Sequence, residues 1–293
     1  MTYVSPSFDL TGRVALLTGA SSGLGVTFAA ALADAGADVV LAARRTDKLE
    51  AVAADIADRT GRRALPVACD VTDPDQVEAA AQLALSELGR LDIAVANAGA
   101  VPEAFSMPEK LPPDLWRQSI DVNLSGTWYT CQSAGRVMLA QGSGSIIIMS
   151  SYAGLSGVPN FPPAYQASKA AVMNITEALA ASWGDRGVRV NALAPGWFPS
   201  EMTDLVLATP NWKARCDAQA PLGRTGQPEE LVGPLLLLAS DAGSYMTGAI
   251  VKVDGGTSSV VGMSPYDESL WALHSSVMPH GLGEPIRPVT AAA

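Results

Sequence analysis

Val14-Ala15-Leu16-Leu17-Thr18-Gly19-Ala20-Ser21-Ser22-Gly23-Leu24-Gly25 is the stretch that decides the fold. Its four leading apolar residues suit a strand covered on both faces. Gly19, Gly23 and Gly25 let the backbone turn sharply, and the Ala-rich residues 25–35 then read as a helix. A helix starting there aims its free N–H groups and the positive end of its dipole back at the turn. Strand, glycine turn and helix in this order suit the pyrophosphate of a dinucleotide, with Ser21 and Ser22 as extra hydroxyl donors. An ordinary glycine-rich turn is the bland alternative.

Outward from this unit the pattern repeats. Strands are expected at Val14–Leu17, Asp38–Ala42, Ala64–Ala68, Leu91–Val95, Ser145–Met149, Val188–Leu193 and Ala249–Val253. Helical stretches lie between them, at Gly25–Ala35, Lys48–Thr60, Pro74–Leu88, Ala164–Trp183 and Glu229–Leu238, with a further one around Leu124–Ala140. Gly36, Gly61, Gly89 and Gly187 stand just past helical stretches, in the usual stop position. Such alternation predicts an α/β fold: a doubly wound, Rossmann-like parallel sheet with helices on both faces. Residues 1–256 read as a single domain and residues 257–293, rich in proline, as a C-terminal extension.

Composition narrows the function. Of 293 residues 48% are apolar, enough for a large core, and the formal net charge is −10. That charge argues against nucleic acid and anionic membranes as partners. The start of the chain lacks an export-signal pattern, and no apolar run approaches the ~20 residues that cross a bilayer. Cys69, Cys131 and Cys216 are too scattered for a zinc site and fit reduced thiols, so a cytoplasmic protein without a metal is expected. Both histidines, His274 and His280, lie near the C-terminus, so acid–base work in the main body falls to other residues.

The spacing Thr-Gly-x-x-x-Gly-x-Gly from Thr18 to Gly25, followed far downstream by Tyr165-Gln166-Ala167-Ser168-Lys169, resembles the short-chain dehydrogenase/reductase family in its compact single-domain form. The resemblance runs from Gly12 to Gly256. It implies a nicotinamide-dependent oxidoreductase that moves a hydride between cofactor and a ketone or secondary alcohol. Gly19, Ser21, Ser22, Gly23, Leu24 and Gly25 would hold the pyrophosphate.

At the end of the second strand Ala43 stands where an NAD enzyme usually places an acid for the ribose hydroxyls, and Arg44 and Arg45 follow. A guanidinium pairs well with a 2′-phosphate, so NADP is expected, with Arg44 as its main contact; NAD stays possible, and both arginines read otherwise as solvated charges. Ser22 occupies the place where some NADP-using members carry a second basic residue. By resemblance Asp70 accepts from the adenine amino group and Val71 packs beside it, while Asp73 before Pro74 reads as a helix cap. Asn97 and Gly99 match the end of the family's Asn-Asn-Ala-Gly segment, with Ala96 replacing its first Asn. By resemblance Pro195, Gly196, Phe198 and Ser200 would form the turn that sets the nicotinamide face.

Helical i,i+4 spacing puts Tyr165 and Lys169 on one face. A free phenol has a pKa of about 10, and a nearby ammonium plus a positive nicotinamide ring would favour phenolate. The resemblance makes Tyr165 the proton-transfer residue and Lys169 its electrostatic partner, also bonded to the nicotinamide ribose. It makes Ser151, chosen over Ser150, the holder of the substrate oxygen. It also makes Asn123 the anchor of a water that links Lys169 to solvent; a mid-helix Asn can equally mark a kink. Ser151 precedes Tyr165 by 14 residues, one more than in many members, with the extra length in residues 159–163.

Pro159, Phe161, Trp197, Phe198, Met202 and Trp212 are candidate pocket residues, a mainly apolar set suited to an alicyclic, aromatic or alkyl carbonyl or alcohol. Lys213, Arg215 and Arg224 either meet an anionic substrate or lie on the surface. A 3-oxoacyl-thioester reductase and a catalytically silent dinucleotide sensor are the alternatives. The family resemblance further implies a homo-oligomer, most often a tetramer. Tyr266, Leu270, Leu273 and Val277 share one face of an expected short tail helix beginning at Ser264-Pro265.

Overall fold

The computed structural model describes residues 6–104, 107–158 and 161–260. Pro159 and the expected tail helix fall outside the described residues. Seven strands form one sheet: β1 Val14–Thr18, β2 Asp38–Ala43, β3 Ala64–Ala68, β4 Ile93–Ala96, β5 Gly144–Met149, β6 Val188–Pro195 and β7 Ile250–Val253. Their spatial order is β3-β2-β1-β4-β5-β6-β7, and every neighbouring pair is parallel. The helices are α1 Leu24–Asp34, α2 Thr46–Thr60, α3 Pro74–Leu88, α4 Pro113–Ile120, α5 Gly126–Gln141, α6 Pro163–Trp183, α7 Asp204–Leu207, α8 Pro210–Gln219 and α9 Val232–Ala239.

The strands alternate between two cores. Ala15 and Leu17 of β1 face α1, α2 and α9, where Phe28, Leu32, Leu49, Ile56 and Leu235 are buried. Val14 and Leu16 face α3, α5 and α6, with Val77, Ala84, Met138 and Val172. Because each face is covered, the central strands are mostly apolar and buried, and the two edge strands β3 and β7 are the less buried ones.

This is the doubly wound fold expected, and the strand boundaries agree within two residues. Asp73 caps α3 by accepting from the N–H groups of Asp75 and Gln76. Gly61, Gly89 and Gly187 end their helical segments with positive φ. Three differences have local causes. The helical stretch expected at Glu229–Leu238 divides into a tight turn, Pro228–Leu231, and α9, because Pro234 brings no N–H to the first turn of α9. Helix α4, not expected, starts at Pro113 and is largely exposed except at Ser119. Between α4 and α5 the chain forms one π turn, Asp121–Ser125, instead of a break.

Chain order reverses between β1 and β4: β2 and β3 lie to one side of β1, and β4 to β7 to the other. The connections leaving β1 and β4 therefore diverge, opening a crevice at the carboxyl ends of the strands.

Candidate active site

A cleft of about 640 Å³, open to solvent, occupies that crevice. Every residue the sequence assigned to the cofactor, from Gly19 to Ser200, lines it, and so do Ser151, Tyr165 and Lys169. One expected site residue, Asn123, stands behind the wall.

The glycine turn is shaped for close approach. Gly19 and Gly23 adopt positive φ, and a Cβ on Gly25 would lie 2.1 Å from the Gly19 carbonyl oxygen. Helix α1 begins at Leu24 with no side-chain cap; of its first turn, the Val26 N–H donates to the Gly23 carbonyl (3.1 Å), and Leu24 and Gly25 line the cleft at the helix start. Asn97 braces the turn by donating from Nδ2 to the carbonyls of Thr18 (3.0 Å) and Gly19 (3.2 Å). A backbone cradle that a Cβ would fill, with a helix start behind it, fits a dinucleotide pyrophosphate.

The two arginines after β2 differ. Arg44 lines the cleft, is exposed, and has no hydrogen-bond or ion-pair partner among the described residues. Arg45 donates to Ser22 Oγ (2.5 Å) and pairs with Glu201 (2.8 Å), which also pairs with Lys48 (2.8 Å). Arg45, then Lys48 and Ser22, hold the Glu201 carboxyl down to about 2. Glu201 follows Ser200 in the loop after β6, so this ion cluster clamps that loop to the start of α2. The sequence reading did not single out Glu201. Asp70 uses Oδ1 to hold Thr72, leaving Oδ2 for a ligand among the described contacts.

Tyr165 and Lys169 sit in the first turns of α6, against the end of β5. Lys169 Nζ donates to the Met149 carbonyl (2.7 Å) and lies 5.5 Å from the Tyr165 ring centre. Ser150 and Ser151 separate in role. The Ser150 hydroxyl donates to the Lys169 carbonyl (2.8 Å), while Ser151 faces the Tyr165 phenol. Burial raises the phenol above its ordinary value, and the Ser151 hydroxyl works in the opposite sense. Burial also lowers Lys169 to about 8. In the protein without cofactor desolvation is thus the largest influence on Tyr165, and the Lys169 ammonium is directed at the Met149 carbonyl.

Asn123 lies in the π turn, fully buried. Its Oδ1 accepts from the Ala100 N–H (3.0 Å), and its Nδ2 donates to the Ala100 carbonyl (2.7 Å) and Ser119 Oγ (3.1 Å). It thus ties the helix to the loop after β4, with its side chain committed to these partners.

Next to Tyr165 the rings of Tyr152, Phe161 and Trp197 interlock, Phe161 edge to face with its neighbours and Tyr152 tilted against Trp197, with centroid separations of 5.8–6.3 Å. Tyr152 was not among the expected pocket residues. Phe198 and Met202 line the cleft, whereas Trp212 lies exposed on α8 beneath the Arg215 guanidinium (5.2 Å). Lys213 pairs with Asp217 and Arg224 with Glu230, so these two cations are already neutralised. All three cysteines are free and buried, no group of metal-binding side chains occurs among the described residues, and no helix among them is long and apolar enough to cross a membrane.

Comparison with known proteins gives a consistent set. The family described as enoyl-(acyl carrier protein) reductase matches residues 19–258. A sorbose reductase of Schizosaccharomyces pombe is 38% identical over 251 residues, covering 85% of this chain and 97% of that protein. A cis-4-hydroxycyclohexanecarboxylate dehydrogenase of Sinomonas cyclohexanicum is 41% identical over 251 residues, with the same coverage. The crystal structure of a gluconate 5-dehydrogenase from Burkholderia cenocepacia, in complex with NADP and tartrate, superposes with a TM-score of 0.84 at 34% identity, covering 88% of this chain and all of that one.

Proposed function

The chain belongs to the short-chain dehydrogenase/reductase family, and from that premise we propose that it interconverts a secondary alcohol and a ketone with NADP(H), using Tyr165 for proton transfer. That it is an NAD(P)-dependent oxidoreductase follows from the family and its named members. One observation carries the finer reading: Ser151, Tyr165 and Lys169 line the same cleft as the glycine turn, at the carboxyl edge of the sheet.

The residues present fit the cofactor. The Gly19–Gly25 turn and the start of α1 would hold the pyrophosphate, Asp70 and Val71 the adenine, and Arg44 the 2′-phosphate. Pro195, Gly196, Phe198 and Ser200 would border the nicotinamide. Bound there, the nicotinamide supplies or accepts the hydride. NADP is favoured over NAD because β2 ends in Ala43, with no acid to meet the ribose, and Arg44 beside it has no partner among the described residues. An NADP-bound relative supports the same choice.

In carbonyl reduction the Ser151 hydroxyl donates to the substrate oxygen and orients it, and the Tyr165 phenol then gives that oxygen its proton. In alcohol oxidation Tyr165 must first be phenolate. Lys169, held near the phenol, favours that form once a positive ring shares the site. Asn123 keeps the loop after β4 against the π turn and so shapes the wall behind these groups.

The aromatic cluster of Tyr152, Phe161 and Trp197 supports a substrate with an apolar face, an alicyclic ring above all. Ring C–H bonds pack well on aromatic faces. The acyl-carrier alternative has less support: it needs a basic docking surface, and the chain carries a formal net charge of −10. A cytoplasmic homotetramer completes the reading, supported by the buried free thiols and by the family.

The test is a panel of alicyclic, aromatic and polyol alcohols and their ketones with each cofactor, followed at the reduced-nicotinamide absorbance band. Turnover with NADP outpacing NAD is expected. Equal or faster turnover with NAD overturns the cofactor choice, and turnover of polyols alone overturns the substrate class.

A further inference from the structure

Glu103 lies in the loop after β4 and is fully buried, with no accessible surface. Burying a carboxylate is costly unless its bonds are well made. Only one of its oxygens is bonded among the described residues: Oε1 accepts from the backbone N–H of Tyr165 (2.8 Å) and from Ser119 Oγ (3.0 Å), while Oε2 is buried without a partner among them. Ser119 in turn accepts from Asn123 Nδ2 (3.1 Å). Helix α6 needs such a partner. It starts at Pro163 and its own cap residue, Pro162, provides no side-chain bond. Glu103 therefore supplies the missing cap from a loop 62 residues away, and a carboxylate at a helix start also suits the dipole.

We propose that Glu103 is a positioning residue that holds Tyr165 for proton transfer from outside its helix, by capping the start of α6 and bracing it to Asn123 through Ser119. This rests on the reading of Tyr165 as the proton-transfer residue. The bond is made at the backbone of that residue itself, so the phenol's place above the cleft depends on it. Charge adds a second effect. The ionisable groups facing the phenol are Lys169 on its own helix, Tyr152 after β5, and Glu103. Burial raises the phenol first, and Glu103 raises it further by repulsion. Glu103 thus biases Tyr165 towards its protonated form, the form that reduces a carbonyl.

Two variants separate the effects. Glu103→Gln keeps an acceptor for the Tyr165 N–H but removes the charge; Glu103→Ala removes both. Tyrosinate absorbance of the NADP-loaded protein is titrated, with Tyr165→Phe and the matching double variants as baselines, and kcat is measured with the best alcohol of the panel. For Glu103→Gln the Tyr165 titration should move to lower pH, with kcat kept within about threefold. For Glu103→Ala, kcat should fall roughly 10–100-fold with NADP affinity unchanged, as expected of a misplaced reacting group. A Glu103→Gln titration that superimposes on wild type, or a Glu103→Ala enzyme with wild-type kcat, overturns the proposal. Should the alanine variant not fold, the glutamine titration alone decides. If Tyr165→Phe itself retains turnover, the reading of Tyr165 has failed, and the Glu103 variants do not bear on that.

Discussion

Tyr165 and Arg44 carry the account at the scale of single residues. Desolvation holds the Tyr165 phenol above its ordinary value, so the cofactor-free protein keeps it protonated at neutral pH. A positive nicotinamide ring nearby favours phenolate, which moves the Tyr165 titration to lower pH. The difference in tyrosinate absorbance between wild type and Tyr165→Phe should therefore appear at lower pH with NADP⁺ than without it; coincident curves would count against the electrostatic argument. Arg44→Ala should weaken NADP by roughly 1.5–3 kcal/mol, the worth of a charge-assisted hydrogen bond, and leave NAD affinity unchanged in a binding titration. Equal losses for both cofactors would show that Arg44 serves the fold and not the phosphate. Tyr165, Lys169 and the glycines were legible because their spacing is local. Glu103 and Glu201 were not: their partners lie 62 and 156 residues away, and neither stands in a local pattern.

Among the elements, the glycine turn and α1 work as one unit. A methyl group at Gly25 would overlap the Gly19 carbonyl, so Gly25→Ala must open the turn that cradles the pyrophosphate. NADP affinity should fall by about tenfold or more, equal to about 1.4 kcal/mol, in a fluorescence titration. Wild-type affinity would mean that the turn does not approach the cofactor. Gly184 is the contrasting case: it is exposed at the end of α6 with helical φ −60°, and a Cβ there meets nothing within 4 Å. Gly184→Ala should raise stability by roughly 0.4–1 kcal/mol in denaturant unfolding, through lost freedom of the unfolded chain; a loss of stability would show that the geometry at the end of α6 is misread. The seven strands and the long helices were legible from apolar runs and stop glycines. Helix α4 was missed because it is only eight residues long, too short for a periodic run to stand out in sequence. The π turn at Asp121–Ser125 was missed because an extra residue in a helix leaves no compositional mark beyond Asn123 itself.

In the whole molecule the strand order places the cleft. Reversal between β1 and β4 is a property of topology, and it brings Gly19, Asn97, Ser151, Tyr165 and Ser200 together from four separate connections. The fold class and the site were both readable once the first strand, turn and helix were recognised. The substrate pocket was less so, because its walls come from loops whose shape no pattern dictates: Tyr152 joined the aromatic cluster and Trp212 left it. As a tetramer the protein should scatter light at four times the chain mass of 30.2 kDa. A single-chain mass at micromolar concentration would remove that part of the reading. The most direct test of proton transfer by Tyr165 is single-turnover hydride transfer in Tyr165→Phe, measured with NADPH and the best ketone of the panel. Phenylalanine keeps the ring packing against Phe161 but cannot move a proton. NADPH affinity should stay near wild type while the transfer rate drops about 10²–10⁴-fold; a rate above about one tenth of wild type would contradict the assignment.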